Sequence, residues 1–121
     1  ICYVLGGGGG RLSHLLANAQ LVAAERHRGI DVRWLVGDAE VRVARPDRPV
    51  IIEGSRGDLA SLLPSAAAAT GITTVGLRWA LHGATLEPGS SHGVSNELTA
   101  SQAMVSVGSG TLLVIHEGGG T

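Results

Sequence analysis

Apolar positions along this 121-residue chain keep one kind of spacing up to about residue 44 and another beyond it. Residues 1–5, Ile-Cys-Tyr-Val-Leu, form an unbroken apolar run, which predicts a short buried strand of the parallel type. Glycines fill positions 6–10. Leu12, Leu15, Leu16, Ala19, Val22 and Ala23 then recur at helical spacing and predict an amphipathic helix from 11 to about 28. Gly29 is placed to stop it, and Arg26, His27 and Arg28 would sit in its last turn, where positive charge suits the helix dipole. Residues 31–36 read as a second strand. Strand, glycine turn, helix and strand together make one βαβ unit.

After Gly37-Asp38 helical periodicity disappears. Short runs rich in Val, Ile, Leu and Thr predict strands at 40–44, 49–53, 58–63, 70–75, 84–87, 93–98, 102–107 and 111–116. Pro46-Asp47, Gly54-Ser55, Gly57-Asp58, Pro88-Gly89 and Gly108-Ser109-Gly110 supply turn chemistry between them. The alanines at 66–69 read as loop. This spacing predicts a compact antiparallel sandwich or barrel. The fold class is therefore an α+β fragment, one βαβ remnant over 1–46 followed by an all-β sandwich over 47–121. A lone βαβ unit cannot bury both faces of a sheet, so a further N-terminal portion is expected ahead of Ile1.

Composition narrows the function classes. A hydrophobic content of 44% argues for a globular domain rather than a disordered chain. The formal net charge is −1, and the basic residues are all arginine and form no stripe, so nucleic acid is not expected as a partner. The apolar runs fall short of a membrane span, so no membrane association is expected either. Cys2 is the only cysteine, which excludes an internal disulfide and a thiolate zinc site and fits a reducing cytoplasm. Aromatic residues are scarce: Tyr3, Trp34, Trp79 and no phenylalanine. Core volume must come from aliphatic side chains, and each aromatic invites a question about its purpose.

Three places could carry chemistry. The glycine run opens a helix, where backbone N–H groups make a ready anion site, and Arg11, His14 and Asn18 share one polar face of that helix. A solvated polar face is the competing reading. Trp79 is either the main core anchor or a stacking platform for a flat ring, and composition alone favours the core. Arg78 and His82 beside it imply a strand that is only half buried. Ser95 and Asn96 follow Gly93; the amide has donors and an acceptor that can read an aminopyrimidine edge, or it can satisfy its own turn. Glu97 is a solvated edge charge or orients its neighbours. His82, His92 and His116 lack metal-ligand spacing, so no metal site is assigned. Ser90 and Ser91 lack a nucleophile-elbow sequence, which argues against hydrolase chemistry.

Four motifs occur in one order: Gly9-Gly10-Arg11-x-x-His14-x-x-Ala17-Asn18, Gly57-Asp58-Leu59-Ala60-Ser61-Leu62-Leu63-Pro64, Gly71-Ile72-Thr73-Thr74-x-Gly76-Leu77-Arg78-Trp79, and Gly89-Ser90-x-x-Gly93-Val94-Ser95-Asn96-Glu97. Together they resemble the thiamine pyrophosphokinase family over nearly the whole chain. The resemblance implies an N-terminal α/β nucleotide domain, of which 1–46 is the C-terminal remnant, and a C-terminal β-sandwich that binds thiamine, here 47–121. It also implies a homodimer with active sites between subunits, and transfer of a pyrophosphoryl group from ATP to thiamine, giving thiamine diphosphate and AMP. On this reading Trp79 stacks near the pyrimidine and Ser95 and Asn96 hydrogen-bond it. Gly9, Gly10, Arg11, His14 and Asn18 border the ATP phosphates and magnesium, with Arg11 and position 13 catalytic. Two departures stand out. Ser13 occupies a position where the family usually carries Asp, and serine is a poorer magnesium ligand than a carboxylate. The family's upstream acidic cluster is also absent. The chain by itself is therefore expected to lack turnover. The alternative is a non-catalytic or degenerate thiamine-binding or dimerisation module, which Ser13 favours. A generic β-sandwich interaction domain would explain the strands but not the ordered motifs.

Overall fold

The computed structural model describes residues 2–5, 12–24, 27–90 and 92–118, and of residues 4, 5 and 12–16 the backbone alone. In chain order the elements are β1 (Cys2–Leu5), α1 (Leu12–Val22), β2 (Val32–Val36), β3 (Ala39–Ala44), β4 (Val50–Glu53), β5 (Leu59–Pro64), β6 (Ala69–Val75), β7 (Ala84–Leu86), β8 (Asn96–Glu97), β9 (Gln102–Ser106) and β10 (Leu112–Glu117). They form a six-stranded sheet of order β1-β2-β3-β10-β5-β8 and a four-stranded sheet of order β4-β9-β6-β7. The β1–β2 pair, joined through α1, is parallel, and the other strand pairs are antiparallel.

Strand alternation decides where the core sits, because successive side chains leave a strand on opposite faces. In β10, Leu112 and Val114 point into the layer between the sheets, and Leu113 points the other way. Ala60 and Leu62 of β5 join the first layer, as do Val50 and Ile52 of β4, Ile72 of β6 and Val105 of β9. Val41 and Val43 of β3 join the second, where Val22 and Ala23 at the end of α1 cover Val32 and Trp34. The six-stranded sheet is thus buried on both faces, by the smaller sheet on one and by the helix on the other. It also runs without a break past residue 46, since β3 pairs with β2 on one side and β10 on the other.

Several expectations need correction. Helix α1 ends at Val22, so His27 and Arg28 do not occupy its last turn, and Arg26 lies outside the described residues. The fully buried Arg45 explains the early stop: its Nη2 donates to the carbonyls of Ala23 (3.1 Å) and Ala24 (3.0 Å). That guanidinium binds the Ala23 carbonyl, one of those a helix leaves without an internal partner at its C-terminus, together with the Ala24 carbonyl just beyond. The chain goes on in tighter turns, Ala24 N–H to Leu21 and His27 N–H to Ala24. Strand β1 is an edge strand, with Cys2 and Tyr3 exposed rather than buried. The strand expected over 93–98 shrinks to Asn96–Glu97, because Ser95 adopts φ 60° and breaks the extended run. Trp79 lies in the β6–β7 connection, not on a strand.

Candidate functional site

The β6–β7 connection is a loop held at nearly every residue. Gly76 turns the chain at φ 85°, and a Cβ there would lie 2.5 Å from the Gln102 carbonyl oxygen, so glycine is required twice over. Leu77 is buried and bridges to Leu98. Arg78 N–H donates to the Glu97 carbonyl at 2.8 Å. Further along, Leu81 N–H donates to the buried Thr74 Oγ1 (3.0 Å), and Thr74 N–H donates back to the Leu81 carbonyl (2.9 Å). Gly83 N–H reaches Thr73 Oγ1 at 3.3 Å.

The chain entering β8 packs against this loop. Gly93 sits under β5, where any Cβ would run into the Leu62 carbonyl oxygen, and its own carbonyl accepts from Leu62 N–H at 2.7 Å. Ser95 follows in the left-handed conformation, its N–H donated to Ser61 Oγ at 3.0 Å and its side chain exposed. Asn96 comes next, 5% exposed. Its Oδ1 accepts from Trp79 N–H (3.0 Å) and Glu97 N–H (2.9 Å), while Nδ2 donates to the Trp79 carbonyl (2.9 Å).

Trp79 itself is 54% exposed, and Trp34, at 2%, is the tryptophan in the core. The core role that composition favours for Trp79 is therefore excluded, although its backbone N–H and carbonyl are both hydrogen-bonded. Arg78 lies over the indole with its guanidinium carbon 4.8 Å from the ring centroid, and its Nη1 is 3.5 Å from Glu97 Oε2. The result is an exposed aromatic ring on a rigid loop, one cation over it and a hydroxyl residue nearby. Such an arrangement suits a flat, polar heteroaromatic.

The structure brings Trp79, Ser95 and Asn96 together at one end of the sandwich. Gly9, Gly10 and Arg11 lie outside the described residues, as do the side chains of Ser13 and His14, which α1 carries; Asn18 is half-buried on that helix. Helix α1 covers the face of the six-stranded sheet opposite the smaller sheet, whereas Trp79 lies in the β6–β7 connection of the smaller sheet. A separate groove of about 480 Å³ is lined by Arg33, Glu40, Arg42, Ile51, Glu53 and Gln102. Its cations are already occupied: Arg33 pairs with Asp31 at 3.2 Å, and Arg42 donates to the Ile51 carbonyl at 2.7 Å. Burial, then repulsion from Arg33, lowers Arg42 below its ordinary value. Among the described residues no group of three His, Cys, Asp or Glu side chains could hold a metal ion, and no helix is long and apolar enough to cross a membrane.

Sequence reasoning missed Thr74 as a support of the Trp79 loop and Ser61 as a support of the chain entering β8, and it left Glu97 between a solvated charge and a residue that orients its neighbours. A threonine flanked by Ile72 and Leu77 in a run of strand character carried a faint signal, since its hydroxyl needs a partner once buried.

A sequence model described as "Thiamin pyrophosphokinase, vitamin B1 binding domain" matches residues 50–112. The chain belongs to this family. The matched segment contains every residue of the Trp79–Asn96 cluster. Among solved structures, the thiamine pyrophosphokinase of Bacillus subtilis is similar at 26% identity and TM-score 0.85, over 96% of this chain and 55% of that one. The thiamin pyrophosphokinase of Geobacillus thermodenitrificans shares the fold at 21% identity and TM-score 0.80, over 98% of this chain and 54% of that one. The Candida albicans enzyme shares it at 15% identity and TM-score 0.75, over 95% and 43%. The chain thus spans about half the length of these relatives. No curated protein sequence matches it. As a member of the thiamin pyrophosphokinase family it is built mainly of β-strands, in the fold of those enzymes.

Proposed function

We propose that this chain is the thiamine-binding part of a thiamine pyrophosphokinase, with the vitamin seated on Trp79. The observation that carries the reading is an exposed tryptophan whose peptide is hydrogen-bonded on both sides by a buried amide. A tryptophan 54% exposed, on a loop held by these hydrogen bonds, stabilises less by burial than a core tryptophan and is well suited to stacking. Thiamine offers it a flat aminopyrimidine. On this reading the exposed Ser95 adds a hydrogen bond to it.

The parent enzyme would transfer a pyrophosphoryl group from ATP to the thiamine hydroxyl. This chain's share in that reaction is to bind and orient thiamine. Magnesium does not fit the described residues, which form no acidic cluster, and Ser13 supplies no carboxylate; no step is assigned through the metal. ATP contacts by Gly9, Gly10, Arg11, His14 and Asn18 belong to the same proposal. A homodimer is part of it too. The separation of α1 from Trp79 within one chain supports a site completed by a second copy. So does an exposed apolar row across the smaller sheet, where Ile51 faces Met104 and Met104 faces Val75 in register. The exposed free thiol of Cys2 supports a reducing, cytoplasmic setting. Ser13 favours a second reading, a thiamine-binding module without catalysis.

Fluorescence titration tests the binding claim. Thiamine is expected to change the emission of the exposed tryptophan saturably, with equal concentrations of a non-aromatic ammonium ion leaving it unchanged. An emission that thiamine leaves untouched overturns the proposal. Assays for thiamine diphosphate formation by this chain are expected to show no turnover, and robust ATP-dependent product would overturn that part.

A further inference from the structure

We infer that Asn96 is a positioning residue that acts on the ligand through Trp79 rather than by touching it, a reading that rests on Trp79 being the thiamine platform. The resemblance assigns Asn96 to direct contact with the pyrimidine, but the hydrogen-bond inventory leaves little for that. A carboxamide has two N–H donors and an oxygen that accepts two bonds. Both acceptor positions of Asn96 are filled, by Trp79 N–H at 3.0 Å and Glu97 N–H at 2.9 Å, and one donor is given to the Trp79 carbonyl at 2.9 Å. Reversing the amide would set its N–H₂ against two N–H donors, so these partners also fix which way it faces. With the residue 5% exposed, a single N–H remains, on a side chain turned to its own protein.

The pattern is that of a short strand pair made by a side chain. Asn96 gives and takes with the Trp79 peptide as a neighbouring strand would, one residue beyond the backbone bond from Arg78 N–H to the Glu97 carbonyl and two beyond the Leu77–Leu98 bridge. It holds the indole in place where no strand continues. Ser95, whose left-handed backbone turns its side chain outward, is left as the polar group that can reach the ligand.

Asn96→Ala removes all three bonds, and Asn96→Asp keeps the acceptors while losing the donor to the Trp79 carbonyl; the second variant serves if the first fails to fold. Trp79 is read without ligand by acrylamide quenching and near-ultraviolet circular dichroism, since Trp34 is shielded and the chain has two tryptophans. The expected result is a changed Trp79 signature in the ligand-free variants together with a thiamine Kd raised about tenfold, as loss of about one hydrogen bond implies. A raised Kd with the native Trp79 signature would mean direct ligand contact and overturn the inference. So would a native Kd in either folded variant. Should native protein fail to bind thiamine, the functional reading falls; an unchanged ligand-free signature would then overturn the positioning role separately.

Discussion

The chain's two tryptophans sit in opposite surroundings. Trp34 of β2 is 2% exposed and packed beneath the end of α1 with Val22, Ala23, Val41 and Val43. Trp79 is 54% exposed, yet its peptide N–H and carbonyl are both bound by a buried side chain. In the first case the side chain is fixed by packing. In the second the backbone is fixed by hydrogen bonds and the ring is held out to solvent. The difference separates a residue whose burial stabilises the fold from one whose placement uses up bonding groups of the fold. That separation is the main physical argument for a ligand at Trp79.

Substitutions should divide along the same line. The largest effect on stability is expected from Trp34→Ala, which would open a cavity under α1 and cost about 3–5 kcal/mol in urea denaturation. Thiamine affinity per folded molecule should stay unchanged. Thr74→Val comes next: it removes the acceptor of the half-buried Leu81 N–H beneath the Trp79 loop, at a cost of about 1–2 kcal/mol. Unlike the Trp34 change, it should also weaken thiamine binding, read by fluorescence titration. Arg78→Ala should be the smallest, under about 1 kcal/mol by denaturation, because its contacts to Trp79 and Glu97 are exposed. It should nevertheless shift Trp79 emission, since the cation leaves the ring.

How far the sequence could be read depends on how far apart the interacting residues lie. The strands of the β half were legible, because short Val-, Ile- and Leu-rich runs bounded by turn residues are local signals, and the run predicted over 111–116 is β10, Leu112–Glu117. The end of α1 was not. Its cap comes from Arg45, about a full strand pair later in the chain, and local rules pointed instead to Gly29. The shortened β8 was hidden for a similar reason: Gly93 and Ser95 leave the extended conformation to fit β5, through Leu62 and Ser61. The cluster of Trp79, Ser95 and Asn96 was found through motif order. The use of the Asn96 amide was not, since its partner stands 17 positions away. Composition, meanwhile, pointed to the wrong tryptophan for the core, because a count of aromatics carries no information on which one a helix covers.

Calorimetric titration of thiamine into the native chain and into Trp79→Ala tests the central claim most directly. The native chain should show saturable heat, and Trp79→Ala should show none while losing no more than about 1–2 kcal/mol of urea stability, far less than Trp34→Ala, because its ring is half exposed. Native-like binding by Trp79→Ala, or no saturable heat from the folded native chain, would contradict the assignment of this ring as the thiamine platform.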